Sequence, residues 1–262
     1  MLRKLMKYEI RATARWFIPL YAALLIFTLI NRFLLTVGPF DYKISMTAWQ
    51  IVGILSGIIY VSLFMGIMVV SLVVGIQRFY KSLLGDEGYL MFTLPVKTWK
   101  LVMSKLLVTM LWHLLSSIIG ICSILLHITH RNVGEFGELL ALIQKYVGPV
   151  GYVSIPLVVL ASVAMGIIQM YTAIALGHLF RKHKILASFG MYVVISTLSQ
   201  MVFMLVMPFF MDVILSNALR STVPTPAQIN TMILVIFAVF AALTAAGYIA
   251  TNAILKQRLN LE

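Results

Sequence analysis

Six long, continuous apolar stretches constrain the fold of this chain more than any other feature of its sequence. An α-helix needs about 20 mostly apolar residues to cross the hydrocarbon core of a bilayer, which is roughly 30 Å thick. The stretches meet that length and lack the two-residue alternation of membrane β-strands. We therefore predict an all-α polytopic membrane protein with six transmembrane helices. The predicted spans are Trp16–Leu35, Ile51–Ile76, Leu101–His127, Val150–Leu176, Ile185–Met211 and Ile229–Leu255.

The composition excludes the main alternatives to a membrane protein. Of the 262 residues, 61% are hydrophobic and only 11% are charged, whereas soluble domains average about 45–50% apolar and about 25% charged residues. Disordered chains have low hydrophobicity. The connections between the spans are too short for a soluble domain. We therefore predict one transmembrane domain over residues 1–262, with the six-span bundle at 16–255 and a tail at 256–262.

The net charge is +12, and the positions of the Lys and Arg residues along the chain indicate how it is oriented in the membrane. If both termini lie on one side of the membrane, that side holds fifteen of the 20 Lys and Arg residues and the other side holds five. An excess of Lys and Arg in short loops marks the cytoplasmic side. We therefore expect both termini to be cytoplasmic, and we expect no nucleic-acid partner.

Residues 1–15 are predicted to form an amphipathic interfacial helix. Four cations recur at helical spacing on one face: Lys4, Lys7, Arg11 and Arg15. Apolar residues from Met1 to Trp16 recur on another face. A basic amphipathic helix of this kind lies in the plane of an anionic inner membrane surface, in contact with lipid. The other interpretation is an ordinary positive-inside anchor for the first span.

The segment between spans three and four predicts a further helix. Apolar residues recur at helical spacing from Glu135 to Tyr146, and Gly148 followed by Pro149 ends the pattern. We expect this short helix on the outer side of the membrane.

The segment between spans two and three, residues 82–95, carries the most informative pattern. Asp86 and Glu87 favour the N-terminal end of a short helix, and Pro95 ends the segment. An apolar, deformable surface lies between them, made of Tyr89, Leu90, Met91 and Phe92. The acidic pair is suited to engage a basic residue of a cytoplasmic partner. The other interpretation is a solvated turn whose acids pair with Lys81 or Lys97.

The run from Leu84 to Val96, LGDEGYLMFTLPV, followed by Ser104-Lys105-Leu106, resembles the permease subunits of bacterial ABC-type exporters. The resemblance is to the compact six-span permeases common in Gram-positive Firmicutes, and outside these motifs it rests on span number, length and topology. It implies a multi-pass protein of the bacterial cell membrane that works with a second permease, either a second copy or a related chain. It also implies a separate cytoplasmic ABC ATPase that hydrolyses Mg-ATP.

In that fold the segment between spans two and three is the coupling helix that docks into the ATPase. The N-terminal amphipathic helix lies along the inner leaflet. The resemblance therefore implies that this chain has a cytoplasmic coupling helix, with ATPase-coupling roles for Asp86, Glu87, Gly88, Tyr89, Leu90, Met91, Phe92, Leu94 and Pro95.

The sequence carries no motif for chemistry of its own. It has neither the phosphate loop Gly-x-x-x-x-Gly-Lys-Ser/Thr nor the zinc-protease motif His-Glu-x-x-His. Its single cysteine, Cys122, excludes an intrachain disulfide and a cysteine metal cluster. We therefore expect no enzyme activity, cofactor or metal site in this chain.

Three residues inside the spans are candidates for a translocation path. Gln169 and Gln200 lie near the middle of their spans, where a buried amide either joins helices or lines a polar path. We favour hydrogen bonding between helices. Met204 belongs to a Met/Phe surface of span five that suits an amphipathic substrate, although such a surface is also typical of lipid-facing bulk.

Small residues at four-residue spacing predict close helix packing. They are Gly53 and Gly57 in span two, Ser162 and Gly166 in span four, and Ala238, Ala242, Ala246 and Ala250 in span six. We expect this packing within one chain rather than between two chains.

The leading functional hypothesis is an exporter permease that couples ATP hydrolysis to the efflux of an amphipathic peptide, a lipid-like molecule or a drug. One alternative is a membrane sensor or immunity partner that sequesters a peptide or lipid. Another is an ion-driven transporter, but no Asp or Glu lies in the middle of any predicted span. Such residues usually carry proton or sodium coupling.

Overall fold

The residues that the structure describes form seven α-helices. The computed structural model describes residues 2–37, 46–85, 88, 96–128, 134–180 and 182–257, and these residues contain no strand. The helices are α1 (Leu2–Val37), α2 (Met46–Phe79), α3 (Thr98–Ile128), α4 (Gly134–Tyr146), α5 (Gly151–Gly177), α6 (Lys184–Leu219) and α7 (Pro226–Gln257). Helix α2 continues directly into one π-helical turn, Tyr80–Leu84.

Every one of these helices except α4 is long and apolar enough to cross a membrane. The prediction of an all-α polytopic membrane protein with six spans is therefore confirmed. Helix α4 confirms the additional helix predicted from Glu135 to Tyr146. It ends where Gly148 takes a left-handed φ of 78°, which glycine adopts without a steric penalty.

Two predicted segment boundaries are not helix ends. Helix α1 runs unbroken from Leu2 to Val37, so the predicted interfacial segment forms the first turns of the same helix as span one. Residues 82–84 of the predicted coupling segment belong to the π-turn that prolongs α2. Hydropathy marks the width of the hydrocarbon core rather than the end of a helix. No Gly or Pro between residues 2 and 18 interrupts the helical hydrogen bonds.

The helices form two groups that meet along α3 and α5. Helices α1, α2 and α3 pack on one another, and α5 packs against both α6 and α7. Helix α4 contacts α5 and α7, and the Asn230 side chain of α7 donates to the Val147 carbonyl just after α4, at 2.9 Å. Contacts of α3 with both α5 and α7, and of α2 with α5, join the two halves of the bundle.

A core cluster occupies one end of the bundle. Its buried members are Phe79, Leu83, Leu101, Val102, Leu106, Ile167, Ile168, Tyr171, Ile174 and Leu255. Leu5 of α1 packs against this cluster, so the start of α1 and the end of α7 lie at the same end. We call it the basic end because exposed cations surround it, among them Lys4, Lys7, Lys97, Lys182, Lys184 and Lys256.

The prediction that small residues pack closely within the chain is wrong at most of the predicted positions. No described residue of another helix lies within 4 Å of a Cβ built on Gly53, Gly57 or Gly166. Three alanines of the predicted α7 stripe are exposed: Ala238, Ala242 and Ala246. The spacing places small residues on one face of a helix, but it does not indicate whether another helix covers that face.

Other glycines allow the close helix approaches. A Cβ on Gly177, at the end of α5, would lie 2.5 Å from the backbone N and Cα atoms of Ser188 in α6. A Cβ on Gly247 of α7 would lie 3.1 Å from the Thr172 hydroxyl of α5. Helix α5 thus approaches both of its main neighbours at a glycine.

We expect Gly177→Ala to lower the melting temperature of the purified protein. The added methyl group meets backbone atoms, so α6 must shift, and overpacking of this kind typically costs about 1–3 kcal/mol. The matched control is Gly166→Ala in the same helix, where the Cβ meets no neighbour and alanine is the better helix former. Equal melting temperatures for the two variants would show that the α5–α6 approach at Gly177 does not limit stability.

Candidate functional site at the basic end

Most of the predicted coupling residues lie outside the residues that the structure describes: Asp86, Glu87, Tyr89, Leu90, Met91, Phe92, Leu94 and Pro95. Gly88 is described and buried, and its N–H donates to the Gly85 carbonyl at 2.8 Å. A Cβ on Gly88 would lie 2.8 Å from the Leu83 carbonyl oxygen. The chain therefore turns back onto the end of α2 directly after the π-turn, at a position where a side chain does not fit.

The end of α2 is held by aromatic stacking and by the core cluster. Phe79 stacks on Tyr171 of α5, with ring centroids 4.0 Å apart and 10° between the ring planes. Leu83 is completely buried, and the Gly85 N–H closes the π-turn by donating to the Tyr80 carbonyl at 2.9 Å. π-turns occur frequently at functional sites. The hydropathy pattern of the sequence carries no signal for this one.

The start of α3, on the other side of the coupling segment, is bonded to α7. The helix begins at Thr98, whose hydroxyl donates to the Asn252 side-chain oxygen at 2.9 Å. In the next position the Trp99 carbonyl accepts a hydrogen bond from the Tyr248 hydroxyl at 2.7 Å. Two hydrogen bonds therefore connect the first turn of α3 to α7.

About two turns further along α3, a buried ion pair connects this helix to α1. The Lys105 ammonium contacts the Glu9 carboxylate, and the two side chains are only 4% and 11% exposed. Sequence reasoning missed this contact. The one available signal is that Glu9 is the only acid among residues 1–15, on a helix that is otherwise basic.

Helix α3 carries further hydrogen-bonding side chains on the face that meets its neighbours. The contacts are Thr109 with Tyr171 of α5 (2.8 Å), Trp112 with Thr13 of α1 (2.7 Å), His113 with Ser71 of α2 (3.3 Å), Ser116 with Tyr21 of α1 (2.7 Å) and Ser123 with Tyr60 of α2 (2.6 Å). A polar group in apolar surroundings is costly unless it is hydrogen-bonded. These contacts therefore specify how α3 aligns with three neighbouring helices.

Two small cavities flank α3. The first lies between α1, α2 and α3, and its charged lining residues are Glu9, Arg78 and Lys105. The second lies between α2, α3 and α5, beside His113 and Tyr171. Each offers about 10 Å³ to the centre of a water molecule, which is room for roughly one water. Neither cavity admits a larger molecule.

The four cations predicted to contact lipid are all exposed: Lys4, Lys7, Arg11 and Arg15. Tyr8 and Trp16 on the same helix are 72% and 60% exposed. The outward face of the first turns of α1 therefore combines cations with amphipathic aromatic rings, a combination that suits the membrane–water interface. The lipid contact itself stays a prediction.

The three residues predicted for a translocation path are not brought together. The Gln169 amide donates to the Ser199 hydroxyl at 2.7 Å and so joins α5 to α6. This contact is the interhelical hydrogen bond that we favour from the sequence. Gln200 is exposed, and Met204 is 74% exposed, both on α6. Within one chain these residues do not line a common path.

Neither a metal cluster nor a known relative points to a function. Among the residues that the structure describes, no three His, Cys, Asp or Glu side chains are close enough to hold a metal ion. No protein-family model, curated protein or solved structure matches this chain. The function is therefore inferred from the geometry of the basic end and from the resemblance of residues 84–96.

His178 connects the two loops of the basic end. It follows α5, and its ring meets the Tyr80 ring of the π-turn edge-on, with centroids 5.0 Å apart. Burial lowers the pKa of His178. A hydrogen bond to the Ile174 carbonyl opposes this shift, and the positive charge of Lys184 adds to it. The neutral imidazole is therefore the form that fits against the π-turn.

Acidification is expected to weaken this contact. Because the folded-state pKa of His178 lies below its unfolded value of about 6.5, the unfolded state binds the proton more readily. The contribution to stability is present above about pH 6.5 and is lost as the pH falls through the folded-state pKa. Between pH 7.5 and 5, the melting temperature should therefore fall more steeply for the wild type than for His178→Gln.

The control for this pH dependence is His183→Asn, five residues further along the same loop. His183 is exposed and has a left-handed φ of 56°, which asparagine also tolerates. We expect this variant to keep the wild-type pH dependence. An unchanged slope in His178→Gln would contradict the role of His178.

Proposed function

We propose that this chain is the transmembrane permease subunit of an ATP-driven ABC exporter in the bacterial cell membrane, with both termini in the cytoplasm. A separate cytoplasmic ABC ATPase hydrolyses Mg-ATP, and a second permease completes the transporter. One observation carries the proposal. The segment that resembles the coupling helix of that family lies between two helix ends, at Leu83 and Leu101, that are buried in the same core cluster.

A push on the coupling segment reaches the bundle through both flanking helices. Phe79 and Leu83 at the end of α2 share the core cluster with Leu101 and Val102 at the start of α3. Packed protein interiors have low compressibility, so they pass a displacement on instead of absorbing it. The closure of two ATPase subunits is thereby converted into movement of α2 and α3.

Helix α3 passes this movement to the other helices. Its first turns bond to α1, α5 and α7 through Lys105 with Glu9, Thr109 with Tyr171 and Thr98 with Asn252. Alternation between two states requires two arrangements of these contacts that are similar in free energy. A helix that bonds to three neighbours shifts them together, as such a transition requires.

The substrate path lies outside the core of a single chain. The cavities beside α3 hold about one water each, which is too little for a peptide, a lipid-like molecule or a drug. The path therefore runs between two permeases or along the lipid-facing surface of one. Exposed Met204, Met207 and Phe209 on α6 offer an adaptable apolar surface to an amphipathic substrate.

The proposal predicts that the purified chain hydrolyses no ATP by itself. When it is co-expressed with the product of a neighbouring ATPase gene, the two proteins should co-purify, and Mg-ATP hydrolysis by the complex should differ from that of the ATPase alone. Phosphate release measured for the chain, the ATPase and the complex tests this. An ATPase that neither co-purifies nor changes its rate would contradict the proposed function.

The acidic pair of the coupling segment is expected to be required for this coupling. In Asp86→Lys with Glu87→Lys, repulsion from a basic ATPase surface should abolish the effect of the chain on ATP hydrolysis while the protein stays folded. The matched control is Glu135→Lys with Glu138→Lys, the same change of charge within α4. If the Asp86/Glu87 variant still changed ATP hydrolysis as the wild type does, the docking role would be contradicted. The interpretation as a solvated turn would then be favoured.

A further inference from the structure

The ion pair of Glu9 and Lys105 is buried although it lies close to the basic surface of the bundle. Removing two charges from water is costly, and a buried charge that loses its partner is strongly disfavoured. The carboxylate of Glu9 therefore needs a cation in every conformation in which it stays buried.

A second cation lines the same cavity. Arg78, in the last turn of α2, faces this cavity together with Glu9 and Lys105. Among the described residues, Arg78 has no carboxylate partner. Glu9 and the two cations thus line one cavity. In the sequence these two cations flank the coupling segment, Arg78 before it and Lys105 after it.

We propose that Glu9 is a switch carboxylate, which pairs with Lys105 in the conformation described here and with Arg78 when the ends of α2 and α3 move relative to each other. Arginine and lysine both satisfy a buried carboxylate through charge-assisted hydrogen bonds. The cavity has room for a water to occupy the position that either cation leaves. The exchange requires the two pairings to be similar in free energy, as the two states of any switch must be.

This exchange deepens the proposed function and rests on it for the trigger, which is movement of the coupling segment. The exchange determines which neighbouring helix the start of α1 follows. In one state the first turns of α1 follow α3, and in the other they follow α2. The exchange therefore links the N-terminal helix to whichever of α2 and α3 supplies the partner of Glu9, and the buried carboxylate keeps a cationic partner in both states.

The test uses three variants of the isolated full chain, purified in detergent: Arg78→Gln, Lys105→Gln and the double variant. Arg78→Gln should melt close to the wild-type temperature, because the Lys105 pair remains. Lys105→Gln should lose part of its stability, because Glu9 turns to Arg78. The double variant should lose more than the sum of the two single losses, by about 4 °C. Backbone amides of residues 2–12 should exchange about tenfold faster in it than in either single variant.

Two matched controls isolate the shared carboxylate. In the first control, Lys97→Gln takes the place of Arg78→Gln in the double variant. It removes an exposed cation at the same end of the bundle, and its effect should add to that of Lys105→Gln. In a Glu9→Gln background, Arg78→Gln and Lys105→Gln should also be additive, because no carboxylate remains to be shared. Additive effects in the wild-type background would overturn the exchange. The exchange would also be overturned if Lys105→Gln failed to fold while Lys105→Arg folded. That result would show that Arg78 does not pair with the Glu9 carboxylate when Lys105 is lost.

The experiment requires no ATPase, so the two proposals fail separately. Strong coupling between Arg78 and Lys105 in a chain that binds no ATPase would support the exchange and overturn the proposed function. Additive effects in a chain whose complex with an ATPase is active would overturn the exchange and leave the proposed function in place.

Discussion

The buried contact between Glu9 and Lys105 is the constraint on which the rest of the bundle depends. Both charges lie in apolar surroundings, and in the alignment of α1 and α3 described here each satisfies the other. One turn further, the Trp112 ring nitrogen donates to the Thr13 hydroxyl in the same alignment. With α1 and α3 aligned, the remaining polar contacts of α3 place α2 and α5 around it.

At the basic end, the helices on both sides of the predicted coupling segment are anchored in the bundle. At the start of the predicted coupling segment, Ser82 and Leu83 of the π-turn are buried, and after it α3 begins at Thr98, which is hydrogen-bonded to α7. In the proposed function, a push on this loop reaches the bundle through the two anchored helix ends. The polar side chains of α3 then pass the movement on, because each of them is bonded to a particular neighbour.

The sequence predicted the elements better than their limits or their contacts. The six spans and helix α4 follow from local hydropathy and helical spacing, and both are present in the structure. The ends of α1 and α2 were harder to predict, because a helix continues past the hydrocarbon core wherever no residue breaks it. The small residues Gly53 and Gly57 show the same limit, since their spacing identifies a face of the helix but not a neighbour.

By itself, the sequence determined the class of the protein, the number of its spans and the uneven distribution of its cations, because each of these depends only on neighbouring residues along the chain. Only the tertiary structure decided which polar groups meet. Glu9 and Lys105 are 96 positions apart, and Thr98 and Asn252 are 154 apart. Such pairs depend on how whole helices pack in three dimensions, where burial makes each unpaired polar group costly.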